Sequence, residues 1–149
     1  MSKNRLHGNL GVTCATTMLI ATILVGAGCS SSRIDDSVVR QIDDQGAVKA
    51  FNAKRKNAIF VDARPDAAYA QGHVPGAVNI RLEHLRDARI VNRLREAPAI
   101  IVYGQNPGTA SAMALAKRLL AMGMANVELF DAGMDAWRHM GGRIVRGSN

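Results

Sequence analysis

Residues 58–80 read AIFVDARPDAAYAQGHVPGAVNI, and the pattern of that stretch decides the fold. It opens with AIFVD (58–62), a short run rich in Ile, Val and Phe. Two similar runs follow downstream, AIIVY (99–103) and VELFD (127–131). The first two are continuously apolar, as expected of strands covered on both faces. Helical patterns lie between and around them. Asp43-Asp44 can cap a helix reaching about Lys56, with Val48, Phe51 and Asn52 on successive turns. Residues 111–122 place Ala112, Met113, Ala116, Leu119 and Leu120 on one face and Lys117 and Arg118 on the other, with Gly123 as the stop. Residues 134–140 form a last short helix closed by Gly141-Gly142. Strands alternating with helices imply an α/β domain with a mainly parallel central sheet and helices on both faces. Ligands of such sheets bind at the carboxyl ends of the strands, so the loop after Tyr103 is the one to inspect.

Upstream, the chain changes character. Residues 1–7 contain Lys3 and Arg5 and no acid, residues 8–32 carry no charge, and MLIATILV (18–25) is a compact apolar run. Gly26-Ala27-Gly28-Cys29 follows. A basic start, a short apolar stretch and small residues before a cut are the parts of an export signal. The cysteine makes it resemble a lipoprotein signal, although Gly26 stands where a large aliphatic residue is usual. The expected organisation is a signal peptide over 1–28, lipidated Cys29 with a polar tether over 29–36, and one domain over 37–149. An uncleaved anchor stays open, because residues 8–28 approach the ~20 residues needed to cross a bilayer. Acylation of Cys29 would make the membrane the first partner, since two or more chains hold stably where one does not. Ser30 resembles the outer-membrane class, which in a Gram-negative cell gives a lipid-anchored protein facing the periplasm. A seven-residue tether reaches roughly 25 Å at most.

Composition narrows the function further. The 149 residues carry a net charge of +7; from Cys29 onward 17 basic face 12 acidic side chains, a balance of +5. That favours acidic surfaces without naming one. Aromatic residues make up 4% of the chain, which argues against a stacking platform for nucleic acid, and no nucleic-acid partner is expected. The only cysteines are Cys14 and Cys29, the first inside the signal and the second acylated, so the mature chain should hold no disulfide and no nucleophilic thiol. His84 and His139 lack metal-ligand spacing, and neither metal nor cofactor is expected.

Val61-Asp62-Ala63-Arg64-Pro65, Tyr69 and Gly72-His73-Val74-Pro75-Gly76-Ala77-Val78-Asn79-Ile80 together resemble the first signature of rhodanese-like domains, in which an aspartate-x-arginine ends a strand and a Gly-His-x-Pro-Gly turn follows. Ile101-Val102-Tyr103, Asn126 to Gly133 and Ala136-Trp137 match the second half. The resemblance implies a structural motif of Asp62, Arg64, Gly72, His73, Pro75 and Gly76. It also implies a sulfur-carrying cysteine just after the strand ending at Tyr103, inside a loop whose N–H groups hold the persulfide. Here that loop reads Gly104-Gln105-Asn106-Pro107-Gly108-Thr109, with Gly104 in the cysteine's place and no basic residue between Glu96 and Lys117. Ala68 and Ala132 are further departures, where glutamate and glycine are usual. Sulfur transfer by the usual route is therefore not expected.

Several expectations follow for the surface. Thr109 and Ser111 read as helix N-caps rather than nucleophiles. The loop Gly104 to Thr109 is a candidate anion site if its N–H groups are exposed, the other reading being a tight turn. Arg81, Arg86, Arg89, Arg93 and Arg95 form a basic stretch that either faces anionic lipid or is a solvated helix face. The leading expectation is a membrane-tethered, non-catalytic module that binds a protein or small anion at the cell envelope. A sulfurtransferase with a non-cysteine mechanism and a basic membrane- or wall-associated protein are the alternatives.

Overall fold

A computed structural model describes residues 35–53 and 58–148. The signal segment and Cys29 lie outside the described residues. In chain order, a 3-10 turn (Asp36–Val38) leads into β1 (Arg40–Gln41), α1 (Asp44–Asn52), β2 (Ile59–Asp62), α2 (Asp66–Gln71) and β3 (Val78–Asn79). A second 3-10 turn (Leu82–Arg86) precedes α3 (Ala88–Glu96), β4 (Ile100–Tyr103), α4 (Ala110–Ala121), β5 (Val127–Phe130) and α5 (Gly133–His139). The five strands form one parallel sheet in the order β1-β5-β4-β2-β3.

The apolar runs are continuous because both sheet faces are covered. Along β4, Ile100 and Val102 join one cluster with Leu94 of α3 and Leu115, Ala116 and Leu119 of α4. Ile101 and Tyr103 point the other way, into a cluster with Ala47 and Ala50 of α1 and Met134 and Trp137 of α5. Alternate side chains of one strand thus feed two cores, as the two-residue period requires. On the second side Phe51, Phe60 and Trp137 meet edge-on or tilted at 5.1–6.3 Å, and the Trp137 indole N–H donates to Arg143 O at 2.9 Å. Such aromatic pairs add to area burial by about 0.5–1.5 kcal/mol each.

The elements depart from the sequence reading at several ends. Asp43 caps α1, its carboxylate accepting from Gly46 N at 2.7 Å, and the helix ends at Asn52 with Ala53 as its C-cap, the expected end at Lys56 lying outside the described residues. Asp35 accepts from Ser37 N at 2.9 Å and Asp36 pairs with Lys117 at 2.6 Å. On α4 the buried face is Ala112, Leu115, Ala116 and Leu119, with Met113 and Leu120 at its margins. The arginine-rich stretch is not one helix: Asp87 closes the 3-10 turn and caps α3, accepting from Arg89 N at 2.8 Å. No helix among the described residues is long and apolar enough to cross a membrane.

Candidate functional site

The carboxyl ends of β2, β4 and β5 carry the groups that the sequence singled out. Asp62 ends β2, and its carboxylate accepts the backbone N–H of Arg64 at 3.0 Å, which folds the chain back locally. The Arg64 guanidinium then grips the same carboxylate, Nε to Oδ1 at 2.9 Å and Nη2 to Oδ2 at 2.6 Å. Both residues are buried, at 0% and 2% exposure. Burial disfavours the charged guanidinium, but the bonds to Asp62 outweigh it and hold the Arg64 pKa above its ordinary value. The remaining donors reach outward, Nη2 to Gly72 O at 2.8 Å and Nη1 to Gln105 Oε1 at 2.9 Å. Asn79 donates to the backbone oxygens of both Asp62 and Arg64 at 2.8 Å. A pair this enclosed positions its surroundings; it has no free face from which to exchange protons.

His73 is equally committed. Its ring stacks on Tyr69 at 3.7 Å, and its Nδ1 lies 2.9 Å from Tyr69 O, an acceptor only, so Nδ1 carries the hydrogen. The backbone of His73 bridges Val145 in both directions at 2.9 and 3.1 Å. Tyr69 donates its hydroxyl to Ala77 O at 2.7 Å, closing the turn that contains Pro75 and Gly76. Tyr103 accepts from Val74 N at 3.2 Å; burial first, and Asp62 second, push its phenol far above the ordinary tyrosine value, so it stays neutral. His84 and His139 are not drawn into this group. His84 accepts from Arg81 N at 3.3 Å, and His139 is the last residue of α5.

The loop after β4 is closed on both sides. Its carbonyls point into the first turn of α5, with Met134 N donating to Gly104 O at 3.0 Å and Asp135 N to Gln105 O at 2.9 Å. Gly133 permits this approach. Its φ is +68°, and a Cβ there would come within 2.8–2.9 Å of Gly104 O and Gln105 O. Its amides are also engaged. Thr109 Oγ1 accepts from Gln105 N and Asn106 N, both at 3.1 Å, and donates to Asn106 O at 2.7 Å. Gly108 N donates to the Asp131 carboxylate at 3.1 Å, and Thr109 N to Asn106 O at 3.2 Å.

One expectation is corrected here. Thr109 occupies the N-cap position of α4 but makes no side-chain capping bond, because its hydroxyl is turned back into the preceding loop; Ser111 lies one residue inside the helix. The candidate anion site, Gly104, Gln105, Asn106, Pro107, Gly108 and Thr109, had two readings, exposed N–H groups or a tight turn, and the amides of Gln105, Asn106 and Gly108 are engaged. A hydroxyl and a carboxylate from the protein already accept from them. Asp131 also places negative charge where an anion would approach.

Space tells the same story. A Cβ built on Gly104 would lie 2.4 Å from Thr109 Cβ and 2.5 Å from its Cγ2, so the Thr109 side chain fills the volume that a side chain at 104 would need. Both cysteines of the chain fall outside the described residues, and no thiol lies near the loop among those described. An open cleft of about 510 Å³ adjoins the loop, lined by Gly108, Asp131, Ala110, Met113, Ala114, Asp36 and Lys117.

Sequence reasoning named Gln105 only as part of the candidate loop and missed the links made by it and by Asp131. Gln105 links Arg64 to Asp135, to which its Nε2 donates at 2.5 Å, and Asp131 holds Gly108. These partners are 41, 30 and 23 residues apart, and no local pattern announces them.

Comparison with known proteins agrees with this fold. The family model described as the rhodanese-like domain matches residues 45–140. The putative thiosulfate sulfurtransferase SseB of Mycobacterium tuberculosis is 37% identical over 101 residues, covering 54% of this chain and 35% of that protein. The chain thus spans about a third of SseB's length. Thiosulfate sulfurtransferase GlpE of Pseudomonas entomophila is 32% identical over 90 residues, covering 60% of this chain and 79% of GlpE. Among solved structures, a thiosulfate sulfurtransferase from Pseudomonas aeruginosa superposes with a TM-score of 0.61 at 29% identity, over 73% of this chain and 20% of that one. A Bacillus halodurans protein matches in fold, with a TM-score of 0.65 at 23% identity, over 74% of this chain and 79% of that one.

Proposed function

The chain belongs to the rhodanese-like domain family, and from that premise we propose that it is a non-catalytic member, held at the cell envelope by lipid on Cys29 and used to bind or scaffold a protein partner. In this reading Gly104 stands where active relatives carry their sulfur on cysteine. The observation that carries the proposal is the loop itself. Glycine offers no nucleophile, and the Thr109 hydroxyl sits among the loop amides where a persulfide would need them. A low-pKa thiolate needs unopposed positive potential, and here Asp131 and Thr109 consume it. None of the other groups at the strand ends is placed as nucleophile, base and orienter together.

The lipid anchor is the natural consequence of the Gly26-Ala27-Gly28-Cys29 run behind an apolar stretch, and in a Gram-negative cell the outer membrane facing the periplasm is the proposed location. The sulfurtransferase names of SseB and GlpE support the second reading, an enzyme with a non-cysteine mechanism. A thiosulfate:cyanide sulfurtransferase assay on the purified chain separates the two. The expected result is no thiocyanate above background, and turnover by the native protein would install the enzyme reading instead.

A further inference from the structure

We propose that the outer side of the α3–α4 layer, together with the 3-10 turn Leu82–Arg86 that precedes α3, is a docking surface for an anionic lipid bilayer, with Arg86 of that turn, Arg93 of α3 and Arg118 of α4 directed at the headgroups. Both helices pack on the same side of the sheet, turning Leu94, Leu115, Ala116 and Leu119 inward and leaving Arg93 and Arg118 exposed. Arg95 spans the two, donating to Met122 O at the end of α4 at 3.1 Å, so the helices form one continuous layer. Not every cation on it is available. Arg89 is paired with Asp87 at 2.8 Å, and Arg81 with Glu83 at 2.7 Å. Arg86, Arg93 and Arg118 have no carboxylate partner among the described residues, and Leu82, in the same turn as Arg86, is 47% exposed.

Geometry supplies the second argument. The described chain begins at Asp35, and the Asp36–Lys117 ion pair fastens that beginning to α4. If Cys29 is the anchor, Asp35 lies six positions further on, a span of roughly 20 Å at full extension. A tether that short limits how far the domain can stand from the headgroups. The docking surface therefore rests on the anchor reading, but it adds an orientation that the anchor alone does not require. Each arginine brought to an anionic surface is worth about 1 kcal/mol, or roughly fivefold in population.

The test is an arginine footprint of the full-length protein. Purified protein is mixed with vesicles of phosphatidylcholine alone, or of phosphatidylcholine with phosphatidylglycerol, and modified with phenylglyoxal. Rates are read at each arginine by mass spectrometry. The expected result is about fivefold or greater slowing at Arg86, Arg93 and Arg118 on the phosphatidylglycerol vesicles only, relieved in ~1 M salt, where charges are screened beyond about 3 Å. Arg143 and Arg146, outside this layer, should keep their rates. Equal rates on both vesicles, or equal slowing at Arg143 and Arg146, overturns the docking surface. The mass of the Cys29 peptide in the same digest reports acylation, so loss of the anchor and loss of the surface are read separately.

Discussion

Replacing Gly104 by cysteine should not by itself recreate a sulfur-carrying site, and the reason can be given a magnitude. The new Cβ would meet Thr109 Cβ at 2.4 Å, Cγ2 at 2.5 Å and Oγ1 at 2.8 Å, all distances that force something to move. Overfilling a packed position costs roughly 1–3 kcal/mol. Displacing Thr109 also breaks its bonds to Gln105 N and Asn106 N, at about 1 kcal/mol each. Gly104→Cys is therefore expected to destabilise the domain by about 3–5 kcal/mol, lowering its melting temperature by roughly 12–30 °C. Thr109→Ala is not the cure, because the nearest atom is the Cβ that alanine keeps. Thr109→Gly is. In a double-mutant cycle, Gly104→Cys with Thr109→Gly should be more stable than the two separate losses predict, by about 1–3 kcal/mol. With the loop amides released, only the double variant should transfer sulfur from thiosulfate to cyanide. Thermal melts and thiocyanate release measure both outcomes. Native-like stability together with activity in Gly104→Cys alone would refute the reasoning, since Thr109 would then be no obstacle.

Three further outcomes follow from the site. Arg64→Gln strands the Asp62 carboxylate at 0% exposure, so chemical denaturation should show a loss of about 3–5 kcal/mol; a loss below about 1 kcal/mol would mean that water reaches Asp62. Tyr103 should remain a phenol throughout the range in which the protein is folded, so absorbance titration should show Tyr103 ionising only with unfolding, because burial and Asp62 both raise its pKa. At the start of α3, the Arg89 side chain and backbone N–H hold the Asp87 carboxyl below the usual carboxylate range. A depressed folded-state value contributes stability that is complete above the unfolded value of about 3.9 and fades as pH falls through the folded one. Protection factors of the amides in the first turn of α3, with the intrinsic pH dependence of exchange divided out, should accordingly fall only below about pH 4, and a fall near neutrality would assign it to another group.

Much of the architecture was present in local pattern. The runs at 58–62, 99–103 and 127–131 are continuously apolar, or nearly so, because strands between two helix layers bury both faces, and that demand is felt residue by residue. The Asp62 and Arg64 pair and the Gly72-His73 turn were legible for a similar reason. Their key bonds are made within eight residues, as between Arg64 and Gly72 O. The sequence also settled by composition alone that no cysteine follows Cys29.

Tertiary structure decided the rest. The edge strands β1 and β3 are two residues long, too short to show a period, and exist because β5 and β2 offer them partners. Thr109 illustrates the limit best. A threonine before a helix reads as a cap from its neighbours, yet its hydroxyl serves the loop because the chain places Gln105 N and Asn106 N around it and leaves no volume beside Gly104. Burial and propensity are properties of a residue and its near neighbours, and sequence displays them. Which acceptor wins a given N–H depends on where distant segments return, and only the folded chain brings Asp131, Asp135 and Arg64 to the same loop.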